Sequence, residues 1–139
     1  MHHRRRVTAT FGLAVAAVAL LPVALAAPAD AAPRSRVSVE IADIATLGAD
    51  GQTVSIEVTA SCARRWQVLE AFVTVSQPQA DGMGGFPLTC TGRPRSFTVT
   101  VTSFDQAFVL GDAQASALVL VERRDDTREA QDTEVVSVI

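Results

Sequence analysis

The chain has 139 residues, 19% of them charged, and a formal net charge of −3. In residues 32–139, the expected mature segment, nine arginines and no lysine face fourteen acidic residues, leaving −5. That acidity argues against nucleic-acid partners and anionic membrane surfaces, since no excess of positive charge is available to displace counterions. Both histidines, His2 and His3, precede this segment, so a Ser-His-Asp or Cys-His nucleophile, a Ser-Lys dyad and a His-bearing zinc site are excluded by inventory.

Residues 1–31 read as a secretory signal peptide. MHHRRR is a cationic head, FGLAVAAVALLPVALA an apolar stretch too short and Ala-rich for a membrane span, and APADA a small-residue cleavage region. Cleavage after Ala26 or Ala31 fits the small-x-small rule, and Ala31 is preferred because it leaves an Ala-Pro start. Arg5-Arg6 leaves the choice between general and twin-arginine export open. No cysteine sits at the cleavage point, so no lipid anchor is expected. The mature chain is expected to be secreted and extracellular, with no membrane attachment after cleavage.

The 108 residues that follow (32–139) suit one domain able to bury its own core. They show period-two alternation and no helical periodicity. Expected strands are RVSVEIADI (36–44), QTVSIEVTAS (52–61), WQVLEAFVTVSQ (66–77), FPLTCT (86–91), SFTVTVTS (96–103), AQASALVLVE (113–122) and TEVVSVI (133–139). In SFTVTVTS, Phe97, Val99 and Val101 share one face and Thr98, Thr100 and Thr102 the other, as in a half-buried antiparallel strand. Turn chemistry at 48–51, 81–85, 92–94 and 111–112 separates most of the runs. About seven short strands at this spacing predict an all-β, antiparallel two-sheet sandwich. Strand phase turns Cys62 and Cys90 inward, and two inward cysteines in an exported protein predict a structural disulfide rather than a redox pair, since no C-x-x-C is present.

The run TCTGRPRSFTVTVTS, the aromatic segment with Phe104 and Phe108, and GDAQASALVLV, together with Cys62, resemble small secreted immunoglobulin-like β-sandwich proteins of high-GC Gram-positive bacteria. The similarity covers about residues 61–121. It implies an immunoglobulin-like sandwich and export, and supplies no catalytic residue, because the group has no assigned activity. The chain departs from true immunoglobulin domains in that Trp66 follows Cys62 too soon to be the tryptophan that packs on their disulfide.

Strand parity sorts the loops into two ends. One gathers Arg64, Arg65, Arg93 and Arg95 with the charged stretch RRDDTREAQD (123–132). This stretch is expected to be a solvated loop with weak surface ion pairs; a hydrolase using Asp125, Asp126 or Glu129 would instead need a buried carboxylate. The other end gathers Asp50, Asp81, Asp105 and Asp112 with Met83, Phe104 and Phe108. Asp50, Asp81 and Asp112 adjoin glycines and suit turns, so no metal and no cofactor is expected. Met83, Phe104 and Phe108 are candidate binding-loop residues, unless Phe108, Val109 and Leu110 plug the open end of the core, since six Phe and one Trp leave few aromatics to spare for the exterior. The leading expectation is a non-enzymatic module that binds a protein or glycan through loops at one end. A carrier of a small apolar ligand, with Ala113, Ala115 and Ala117 lining or narrowing a cleft between sheets, is the alternative.

Overall fold

The computed structural model describes residues 36–139; the expected signal peptide, residues 1–31, lies outside the described residues. Seven strands follow in chain order: β1 (Val37–Leu47), β2 (Thr53–Cys62), β3 (Gln67–Gln77), β4 (Ala80–Gly85), β5 (Arg95–Ser103), β6 (Gly111–Arg123) and β7 (Asp126–Val138). Alternation dictates them, as in β5, where Val99 and Val101 are buried and Thr98, Thr100 and Thr102 are exposed. β6 likewise buries Ala113, Ala115, Ala117, Val119 and Val121 on one phase. The inward residues of all the strands meet in one core cluster with Trp66, Phe86, Leu88 and Phe108.

The expected two-sheet sandwich is corrected: the strands close into a seven-stranded barrel in the order β1-β2-β5-β4-β3-β6-β7. Closure depends on two short seams, β1 beside β7 in parallel (Ile44↔Ser137, Ala45↔Val138) and β4 beside β5 (Gly82↔Ser103, Met83↔Thr102). Between these seams, long antiparallel ladders join β1-β2-β5 and β4-β3-β6-β7.

Each seam has a local chemical cause. At β4, a Cβ on Gly82 would lie 2.5 Å from the Thr102 carbonyl oxygen, and one on Gly84 would run into the Thr100 carbonyl. Glycine there lets the β4 backbone press against β5. Residues 81–85, read above as a turn, are therefore part of the closing strand, and the actual β3–β4 turn is Pro78-Gln79. FPLTCT, read as a strand, is part of the β4–β5 connection, with Pro87 and Pro94 unable to donate to a ladder. At the other seam, β1 breaks its ladder with β2 between Ile41 and Ala45 and turns toward β7. Asp132 of β7 reaches across this gap, its Oδ2 accepting a 2.8 Å hydrogen bond from the Ile41 backbone N–H.

Cys62 and Cys90 form the expected disulfide, tying the end of β2 to the β4–β5 connection. For a separation of 28 residues, the chain-entropy estimate gives about 3.5 kcal/mol of stabilisation. Phe86 and Leu88 are also buried, so this connection lies across the core despite forming no strand.

Candidate binding ends of the barrel

At the end carrying the β1–β2, β3–β4 and β5–β6 connections, the segment between β5 and β6 (residues 104–110) is pinned at three points. The Phe104 N–H donates to the Asp81 carbonyl (2.9 Å), and the Phe108 N–H donates to the Gly51 carbonyl (2.8 Å). The third pin is Gln77, a buried polar side chain. Its Nε2 donates to the Val109 carbonyl at 2.8 Å and its Oε1 accepts from the Val109 N–H at 3.0 Å, so one amide satisfies both backbone groups of Val109. Gly51, at φ +72°, supplies the left-handed turn beneath it.

Pinning sorts the side chains of this segment. Phe108 is 2% exposed and plugs the barrel end, resting where a Cβ on Gly82 would lie 2.8 Å from its ring. Phe104, Val109 and Leu110 face outward, 67%, 50% and 66% exposed. Met83 sits within β4 opposite Thr102, exposed on the barrel wall rather than in a loop. Of the three candidate binding residues, the structure therefore leaves Phe104 in the end loop, moves Met83 to the wall and places Phe108 in the core. Val109 and Leu110, expected with Phe108 to plug the core, are instead exposed beside Phe104, and Ile139, beyond the end of β7, adds an exposed apolar side chain at the same end.

Three of the four aspartates at this end serve local structure. Asp50 Oδ1 accepts from the Gln52 N–H (2.9 Å), Asp105 Oδ1 from the Gln106 N–H (2.7 Å) and Asp81 Oδ1 from the Ser76 hydroxyl (2.5 Å). Among the described residues, no three His, Cys, Asp or Glu side chains are grouped so as to hold a metal ion.

The opposite end collects the arginines. Arg36 precedes β1, Arg64 and Arg65 lie between β2 and β3, and Arg93 lies between β4 and β5. Arg95 opens β5, Arg123 closes β6, Arg124 forms the β6–β7 turn and Arg128 is the third residue of β7. The described residues contain no arginine outside this set and no lysine or histidine. Their one ion pair is Arg128 with Asp126 at 3.3 Å, between side chains more than half exposed. A surface groove of about 540 Å³, lined by Arg36, Trp66 and residues 123–126, opens here. Arg36 stacks its guanidinium 5.9 Å from the Trp66 ring centroid.

The stretch 123–132 is corrected from a ten-residue solvated loop to a tight hairpin. Arg123 pairs with Asp126 and the ladder continues to Val138, leaving Arg124 and Asp125 as a two-residue turn. Arg124 takes φ +55°, a value that such turns usually give to Gly, Asn or Asp. Alternation was hidden because the barrel's outer surface and its rim both accept charge, so polar residues occupy the two phases of early β7. Asp125, Asp126 and Glu129 are exposed, so none supplies the buried carboxylate that acid–base hydrolysis requires. Ala113, Ala115 and Ala117 lie in the core cluster.

No helix of the described residues is long and apolar enough to cross a membrane. No protein-family model and no curated protein matches this chain.

Proposed function

We propose that this domain is a secreted, non-enzymatic binding module that docks a partner protein through the 104–110 loop end of the barrel. The observation that carries this reading is the pinned loop. Phe104, Val109 and Leu110 stay exposed although three backbone anchors and a buried plug hold the segment in place. Rigid presentation lowers the entropy cost of docking, and clustered exposed apolar side chains on a rigid scaffold mark interaction surfaces. Aliphatic Val109 and Leu110 suit an apolar protein surface better than the hydroxyls of a glycan. Asp105 and Asp112 at the rim favour a partner with cations around its apolar centre. Export belongs to the same proposal and is supported by the Cys62–Cys90 disulfide, a bond that persists in oxidising compartments.

The test compares the wild-type domain with Phe104→Ser/Leu110→Ser as cross-linked baits against the organism's culture medium and cell surface. A partner held by the wild type and lost by the variant, with unchanged circular dichroism and melting, supports the reading. Identical capture by both baits overturns it.

A further inference from the structure

We infer that the arginine end of the barrel is a second, independent binding surface, whose ligand is a linear acidic polysaccharide carrying sulfate or carboxylate groups. The acidity of the whole chain conceals this, because its charges are segregated. All eight arginines of the described residues stand at this end, where Glu122, Asp125, Asp126 and Glu129 leave a local balance of +4. None of the other ten acidic residues of the described chain adjoins an arginine in sequence. Of the eight arginines, only Arg128 has a carboxylate partner. Charge collected without partners attracts polyanions, and the guanidinium fork matches the planar oxygens of carboxylate and sulfate.

Two further observations mark the groove as more than a diffuse patch. The one buried side-chain polar atom without a hydrogen-bond partner among the described residues is Trp66 Nε1, and Trp66, 7% exposed, lines the groove beneath the Arg36 guanidinium. Arg65 and Arg124 hold φ values of +70° and +55°. Residues other than glycine, asparagine and aspartate rarely adopt that region, yet two of the three connections at this end place arginine there, the third using Gly92 at φ +80°.

The surroundings select the class of polyanion. Trp66 and Phe86 are buried and Phe97 is half-buried beneath Arg95 at 5.7 Å, so this end offers no exposed aromatic to stack unpaired bases or enter a bilayer. The acidic flanks repel a rigid duplex or a flat anionic membrane extending past the rim. A flexible single chain can keep its contacts to the cationic end.

The test titrates the full domain with dextran sulfate and with neutral dextran of the same length, read by calorimetry and by fluorescence of the single tryptophan, Trp66. Saturable binding of dextran sulfate alone is expected, with a change in Trp66 emission and an affinity that falls as salt rises. The double variant Arg65→Gly/Arg124→Gly removes two charges at positions whose φ glycine accepts. It should keep its melting temperature, bind at least tenfold more weakly and lower the slope of log affinity against log salt by about two. Equal affinity for the double variant, an unchanged Trp66 signal on binding, or no preference over neutral dextran overturns the inference. Tighter binding to a single-stranded oligonucleotide or to phosphatidylglycerol vesicles overturns the polysaccharide assignment. Phe104→Ser/Leu110→Ser should leave dextran sulfate binding unchanged, which separates failure of this surface from failure of the loop end.

Discussion

Asp132→Ala tests how the barrel is closed. β1 has no ladder partner on β2 between Ile41 and Ala45, and it meets β7 only from Ile44 onward. In that interval the Ile41 N–H donates to Asp132 Oδ2 at 2.8 Å, in a part-buried setting. A hydrogen bond to a charged group contributes about 1.5–3 kcal/mol, and partial access of water places this one near the lower bound. Alanine removes the only acceptor shown for that N–H, so the expected loss is about 1.5–2 kcal/mol. For a domain of this size that corresponds to a fall of roughly 6–12 °C in melting temperature. Asparagine keeps an oxygen acceptor without the charge and should cost about half as much. Asp126→Ala is the control, since its carboxylate meets only Arg128 on the surface and should cost under about 0.5 kcal/mol. Urea unfolding followed by circular dichroism, with unchanged denaturant slope, measures all three. If Asp132→Ala unfolds within about 0.5 kcal/mol of wild type, or no differently from Asp126→Ala, the clasp across the seam is refuted.

Other substitutions probe the rest of the scaffold. Gly82→Ala should cost at least about 2 kcal/mol, because its Cβ meets the Thr102 carbonyl oxygen at 2.5 Å and the Phe108 ring at 2.8 Å; a neutral result in thermal melts would show that β4 can retreat from β5. Gln77→Ala leaves both backbone groups of Val109 without their partner. It should destabilise by about 2 kcal/mol and speed hydrogen exchange at Val109 well above that of β6, and equal exchange would dismiss the pin. Alkylation mass spectrometry should find Cys62 and Cys90 protected until reduction, and reduction should lower stability by about 3.5 kcal/mol; labelling without reductant would contradict the bridge.

The sequence by itself determined the all-β class, the inward phases of most strands and the disulfide, because burial alternates at period two wherever one face meets a core and the other meets water. Phe97, Val99 and Val101 are legible in this way, as is Cys62. Partner choice and closure were decided by the tertiary structure. Alternation gives each strand an inside without naming its neighbours, so Val54 reads the same in an open sandwich and in a barrel. Gly82 and Gly84 carry turn chemistry in isolation, and only their approach to β5 makes them a seam. Asp132 likewise belongs to a charged run until the break in β1 supplies the N–H it must satisfy. For the candidate surfaces, parity alone foretold which loops share an end. Which aromatic plugs the core and which is displayed depended on the Gln77 and Gly51 anchors, 32 residues from Val109 and 57 from Phe108 in the chain. The net charge summed over the chain concealed the arginine end, because a sum carries no positions and only folding brings residues 36, 65, 93 and 124 to one rim.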